Sequence, residues 1–363
     1  MAVTAKMVKE LRDMTGAGMM DCKKALVEAE EDMDKAVQVL KEKGLAKAAK
    51  KAGRVAAMGL VKTSISEDGT KAGIVEVDSE TDFVAKNPEF IEFVEKLSVM
   101  AEEAASTDME AFMALPYGEG TVQDELTAKI STIGENMNVR RIEQVAGDVT
   151  TSYIHGGGRI GVILSANGDS SEAAQEALKN IAMQVAAMNP QYIKREDISA
   201  DELANIRTIV LESALNDPFS LPKPILNALL DKAVEGVWGE EDTAVLAEKR
   251  ADSSFNFNYL PNFISAEGKA QLAGLAVADK ENIVGNKIFG GLVEGRVAKQ
   301  LKDICLMDQV YVRAEDGKQT VAKYLGSVSK ALVLDKVVRF EVGEGIEKKE
   351  ENFAEEVAKQ MGN

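Results

Sequence analysis

The apolar residues of the chain change their spacing along its length, and each change predicts a different kind of element. Over residues 4–44 they recur at helical intervals. Met7, Val8 and Leu11 give a first short helix an apolar side, and Gly16-Ala17-Gly18 breaks it. Leu26 and Val27 belong to a second helix starting near Met20 or Asp21. Asp32 is placed to cap a third that carries Met33, Ala36, Val37 and Leu40, with Gly44 as its stop. From Gly59 the period drops to two. Residues 60–66 and 72–77 predict strands around Glu67-Asp68-Gly69-Thr70, whose Asp-Gly is a hairpin signal. Asn87 as N-cap and Pro88 at the first helical position then open a helix with Phe90, Val94, Leu97, Ala101 and Ala104 on one face.

A second pass of the same kind follows. Residues 149–155 and 159–166 flank Gly156-Gly157-Gly158, and Ala174, Leu178, Ile181, Val185 and Met188 line a helix that Asn189-Pro190 ends. Between the two passes, Val122, Leu126, Ile130 and Ile133 form another helical stripe, and residues 138–146 return as a strand. Residues 200–302 are helical in propensity but broken by Pro218, Pro222, Pro224 and Pro261, without a sustained heptad. β-like sequence resumes at 310–314 and 331–342. A last helix carries Phe353, Val357 and Met361 at spacing four.

The expected fold class is therefore α+β. A three-helix module and basic linker span 1–54, one core subdomain 55–148, and a related one 149–205 with 305–346. A helical insert occupies 206–304 and a C-terminal helical module 347–363.

The most unusual local feature is the stretch from Ser79 to Pro88, because it sets a large apolar ring, Phe83, in the connection between a strand and a helix. Two readings stay open on local physics. Phe83 and Val84 fold back onto the following helix, or Asp82 and Phe83 form a polar-apolar tip that enters another protein, as buried aromatics do at binding hot spots. Met19 and Met20, beside a glycine turn, pose the same choice, and there the pattern alone favours core packing over an adaptable contact surface.

Composition narrows the function classes. The 363 residues carry 43 basic and 60 acidic side chains, a net charge of −17, which argues against a broad nucleic-acid surface. Two distant cysteines, Cys22 and Cys305, suit a reducing compartment, and a single histidine leaves no set of zinc ligands. The N-terminus leads into charged helical sequence rather than an apolar signal core, and no run approaches the roughly 18 apolar residues of a membrane span. A cytoplasmic protein without membrane or direct nucleic-acid contact is expected.

Catalytic motifs fail on context. Gly156-x-Gly158-x-x-Gly161 matches a dinucleotide fingerprint, but β-like sequence on both sides makes it a hairpin turn. His155-Gly156-Gly157-Gly158 echoes a hydrolase oxyanion loop without any G-x-S-x-G elbow to accompany it. His155 reads either as a turn histidine bonded to nearby backbone or as a surface contact. A phosphate-binding G-x-x-x-x-G-K-[ST] loop is missing, and Glu102 and Glu103 diverge on their helix. Neither an enzyme nor a cofactor is expected.

Three blocks carry a resemblance. Thr81-Asp82-Phe83-Val84-Ala85-Lys86 is one; residues 12–26, with Arg12, Gly16-Ala17-Gly18-Met19-Met20 and Lys23, are another; Arg339-Phe340-Glu341-Val342-Gly343-Glu344-Gly345-Ile346-Glu347 is the third. In this order they closely resemble translation elongation factor Ts. The likeness covers about residues 2–200 and 305–361, while residues 206–304 are longer and more proline-broken than the helical-hairpin insert of better-known members.

The resemblance implies an α+β fold with an N-terminal ubiquitin-associated (UBA-like) three-helix module, and a guanine-nucleotide exchange factor. Its partner would be elongation factor Tu in its GDP-bound and nucleotide-free forms. By the same resemblance, Thr81, Asp82, Phe83 and Val84 would disturb the partner's magnesium site, and Arg12, Met19, Met20, Lys23 and His155 would make further contacts. The rivals are a passive scaffold built on the UBA-like module and a hydrolase using His155.

Overall fold

The computed structural model describes residues 3–347. The expected C-terminal helix with Phe353, Val357 and Met361 lies outside them. The chain divides into two compact units, residues 190–310 and the remainder, so the helical unit includes residues on both sides of the expected 206–304 insert.

At the N-terminus, α1 (Ala5–Thr15), α2 (Met19–Glu28) and α3 (Met33–Lys51) close on a thin core of Leu11, Cys22, Ala25, Leu26 and Ala36. Thr4 caps α1 by accepting from the Met7 amide, and Asp32 caps α3 by accepting from Lys35. Gly44 does not end α3 as expected. The helix continues to Lys51 because the seven residues after Gly44 are mostly strong helix formers.

The first core half follows with β1 (Met58–Ile65), β2 (Lys71–Ser79) and α4 (Pro88–Glu103). Asn87 caps α4 by accepting from the Glu89 amide, and the amide of Gln144 closes its far end by donating to Ala101 and Ala104 carbonyls. A short α5 (Met109–Met113) and the two-residue ladder β3 (Pro116–Tyr117) and β4 (Gly120–Thr121) lead to α6 (Val122–Ile133), opened by a Thr121–Asp124 capping box. Then β5 (Met137–Ala146) returns along β2, giving an antiparallel sheet of order β1-β2-β5.

The second half repeats that order of elements. β6 (Val149–His155) and β7 (Ile160–Asn167) form a hairpin closed by three glycines at positive φ, and α7 (Glu172–Met188) follows behind a Ser171 cap. Gly156-x-Gly158-x-x-Gly161 is thus a strand-to-strand turn.

The chain then enters the helical unit, where α8 (Ala200–Asn216), α9 (Lys223–Gly236), α10 (Glu240–Ala251), α11 (Ala266–Ala278), α12 (Lys280–Val284) and α13 (Lys287–Ile304) share one core around Leu229, Leu230, Leu246, Leu260, Leu272 and Phe289. Pro218 and Pro224 stand at the starts of helical segments, where a missing N–H costs little.

On its return the chain departs from expectation. Residues 311–319 form turns instead of a strand: Asp316 accepts from the amides of Lys318 and Gln319, and the Tyr311 amide donates to the Gln319 carbonyl at 2.8 Å. After them α14 (Val321–Val328), which the apolar pattern did not separate, stacks Tyr324 on Tyr311. β8 (Val333–Glu341) completes a second antiparallel sheet, order β6-β7-β8.

Period-two alternation sends the two faces of each sheet to different places. On the first sheet Val75 and Val77 pack under Phe90, Phe93, Val94 and Leu97 of α4. The opposite face, with Val61, Ala72, Ile74 and Val145, meets Ile163, Val338 and Phe340 of the second sheet. Glu76 lies on that inner face, fully buried. It accepts from Arg140 at 3.0 Å, from Arg141 at 2.5 Å and from the backbone amide of Gly343 at 2.9 Å, so one carboxylate joins β2, β5 and the turn after β8.

Two residues along, Asp78 is equally buried. Desolvation, and then the neighbouring charge of Glu76, push its carboxyl up to about 8, against the pull of Arg140. A carboxyl raised in this way stabilises the fold only while protonated. Its contribution is complete below about pH 4 and is lost as the pH climbs through the folded value near 8. In thermal melts, Asp78→Asn should gain on the wild type steadily from about pH 5 to about pH 8. A difference in Tm that stays constant over that range would contradict the burial of a titrating carboxyl here.

Candidate functional site

β2 ends at Ser79 and α4 begins at Pro88, and the segment between them is held at two points. The first is Thr81, whose backbone amide and hydroxyl both donate to the carboxylate of Glu135, at 3.0 and 2.7 Å. Glu135 follows the C-cap of α6, where Gly134 takes a left-handed φ of 94° that turns the chain sharply. Its neighbours extend the grip: the Asn136 amide donates to Glu80, whose carboxylate also faces Arg54 at 3.5 Å. The second point is Val84, only 5% exposed, seated in the core under α4.

Between these anchors Asp82 and Phe83 project. Phe83 is 78% exposed, more than any other large apolar side chain among the described residues. The tip is closed locally. Lys86 and Asn87 amides donate to the carbonyls of Phe83 and Val84 in a single 3-10 turn, and Lys86 Nζ pairs with Asp82 at 2.7 Å while lying 6.0 Å from the Phe83 ring centroid. That ammonium holds the Asp82 carboxyl below the usual carboxylate range. Of the two readings of Phe83, folding back onto the helix is therefore not what this chain does alone. Val84, expected among the contact residues, is a buried anchor.

The remaining expected residues lie elsewhere on the same unit. Arg12, Met19, Met20 and Lys23 are all exposed around the α1–α2 turn, with Met19 at 58% and Met20 at 64%. The core packing that pattern alone favoured for the two methionines is not seen, because Leu11, Cys22, Ala25 and Leu26 already fill the small interior. Met14 of α1 and Val27 of α2 are exposed as well. His155 sits exposed at the end of β6, its Nδ1 3.0 Å from the hydroxyl of Tyr153. These are three separate sets, on α1–α2, on the loop and at the β6–β7 turn.

Among the interactions of the described residues the Tyr153 hydroxyl is the group at the His155 ring and no carboxylate joins them, and no group of three His, Cys, Asp or Glu among those residues could hold a metal. An open groove of about 640 Å³ between α5, α6 and β5 is lined by Met109, Met113, Leu126 and Arg140, with none of the expected contact residues. Glu135 and Glu80 were missed by sequence reasoning. The signal that could have found Glu135 was a glycine stop followed by acid, Gly134-Glu135, which reads equally well as an ordinary helix end.

Comparison with known proteins points to one family. The family described as Elongation factor TS matches residues 80–245 and 262–344. Proteins named Elongation factor Ts from Clostridium botulinum (strain Eklund 17B / Type B) and Clostridioides difficile (strain 630) are 41% and 42% identical to the chain, over 368 and 365 residues and 99% of each partner in the alignment. A third, from Clostridium perfringens (strain 13 / Type A), is 42% identical over 368 residues. The family model covers more than half of the chain and the similarity to these relatives runs over 99% of it, so the chain belongs to the elongation factor Ts family.

Proposed function

We propose that the chain is a guanine-nucleotide exchange factor for elongation factor Tu, acting in the cytoplasm during translation elongation. It binds the partner in its GDP-bound and nucleotide-free forms and makes or breaks no covalent bond. The observation that carries this reading is the 78% exposure of Phe83 on a tip whose flanking residues are fixed. Thr81, Asp82, Phe83 and Val84 form the element that acts near the nucleotide, with Asp82 and Phe83 as the inserted pair and Thr81 and Val84 as its mount. Arg12, Met19, Met20 and Lys23 of the UBA-like module, residues 1–54, and His155 supply further contacts.

The physical account is linkage. A factor that prefers the distorted, nucleotide-free partner weakens GDP binding by the same factor by which GDP weakens its own. Burying one phenylalanine ring supplies roughly 1.5–3 kcal/mol, worth about a tenfold to hundredfold change in an equilibrium. Disturbing the partner's magnesium coordination removes positive charge from beside the phosphates, which adds to the loss of GDP. The exposed methionines suit the wider contact, since their soft, unbranched side chains adapt to a partner's surface.

Labelled GDP preloaded on purified elongation factor Tu provides the test. Release should accelerate with added chain, and release that stays at its intrinsic rate under saturating chain would overturn the reading. Within that assay Phe83→Ala should slow factor-stimulated release by about tenfold to a hundredfold while moving stability by no more than about 0.5 kcal/mol, as for other solvated side chains. Val84→Ala should do the reverse in stability, costing about 1–3 kcal/mol in denaturant unfolding because it opens a cavity under α4. Equal losses of stability from the two substitutions would mean that the ring is part of the core.

A further inference from the structure

We infer that Glu135 is a positioning residue for nucleotide exchange: it holds the Asp82-Phe83 tip in its inserting pose through Thr81, without itself entering the partner. The inference rests on the exchange reading above. It comes from a part of the chain outside the loop and outside every contact set expected from sequence.

The geometry is specific. A helix that ends in an αL glycine delivers one carboxylate to the base of the loop, and each of its oxygens takes a different donor from the same residue. Oε2 accepts from the Thr81 amide at 3.0 Å and Oε1 from the Thr81 hydroxyl at 2.7 Å. Hydrogen bonds to an ionised acceptor are stronger than neutral ones, and this pair fixes both the backbone and the side chain of a single residue. Thr81 is next but one to Phe83. On the other side the Ser79 hydroxyl donates to the Thr81 carbonyl at 3.0 Å, so Thr81 is gripped at both its amide and its carbonyl.

Without Glu135 the Thr81 amide and hydroxyl lose their shared acceptor, and Thr81 keeps only the Ser79 hydroxyl bond to its carbonyl on the N-terminal side of the tip. With Glu135 in place the ring is confined before it meets its target, and the ordering cost of insertion is already met in the free chain. The adjacent Glu80 and Asn136 contacts brace the same junction, but they reach the strand end and not the tip. The role therefore falls to one carboxylate and its two bonds.

Three variants of the full chain, Glu135→Ala, Glu135→Gln and Thr81→Val, test this by GDP release from elongation factor Tu, thermal melting and amide hydrogen exchange at residues 81–83. The wild-type chain must first accelerate release; if it does not, the exchange reading fails and the positioning role with it. Given acceleration, Glu135→Ala should lower the maximal rate about tenfold at saturating factor, leave the half-saturating concentration within about twofold, and expose the Thr81 amide to exchange. Glu135→Gln, whose amide oxygen still accepts, should recover most of the rate. Thr81→Val, keeping only the backbone bond, should fall between. The inference is overturned if Glu135→Ala leaves the maximal rate unchanged. It is also overturned if the half-saturating concentration rises in proportion, which would make Glu135 a direct contact, or if Glu135→Gln melts like the wild type yet exchanges as poorly as Glu135→Ala.

Discussion

The buried carboxylate of Glu76 is the constraint on which this architecture turns. It sits on the inner face of β2 with no water to solvate it, and it is tolerable there only because Arg140, Arg141 and the Gly343 amide all donate to it. Those donors come from β5 and from the turn after β8, so satisfying one charge locks both sheets in register. Removing one member of such a set typically costs about 3–5 kcal/mol, more than any surface pair in the molecule could return. The sequence block from Arg339 to Glu347 thereby acquires a structural reason: Arg339 bonds Glu341, Arg141 stacks on Phe340 and Gly343 closes the junction.

β2 is also the strand that runs into the exposed tip, which connects this buried junction to the surface. With its inner face bound through Glu76 and its outer face under α4, β2 cannot shift without disrupting both layers. Ser79 therefore leaves the sheet at a fixed point and Pro88 starts α4 at another. The nine residues from Ser79 to Asn87 span that gap, and between the two anchors Asp82 and Phe83 face water. Leaving a phenylalanine ring exposed forgoes roughly 1.5–3 kcal/mol of burial, a loss the surrounding core absorbs.

Much of this was legible in the residues. Asp68-Gly69 gave the hairpin, Asn87-Pro88 the start of α4, and the stripes of Phe90 to Ala101 and Ala174 to Val185 gave the two covering helices, because each signal depends on neighbours a few positions away. What stayed hidden depends on distant partners. Gly44 looked like a stop, since nothing nearby shows that Ser131 packs against it. Residues 310–314 looked like a strand until Asp316 and the Gln184 side chain, which accepts from the Val312 amide, drew the backbone into turns. The exposure of Met19 and Met20 follows from how little volume a three-helix core encloses, a property of packing and not of pattern. The base of the candidate site was illegible for the same reason: Thr81 and Glu135 are 54 residues apart, and neither announces the other.

The tip itself is held by bonds of two very different strengths, a difference that fits the proposed role of a factor that binds its partner and leaves it again. Thr81 is fixed by two charge-assisted bonds and Val84 by burial, so the mount is rigid. The Asp82–Lys86 pair is exposed on both sides, the kind of contact worth about 0–1 kcal/mol. Breaking it to let Asp82 meet a new environment therefore costs little, and reforming it on release gains little. A rigid mount lowers the entropic cost of insertion, and a weakly paired tip adds no barrier to withdrawal. On the proposed exchange reading, affinity for the nucleotide-free partner would be set by the wider α1–α2 surface and by the ring, and the mount would spare the loop an ordering cost at each encounter.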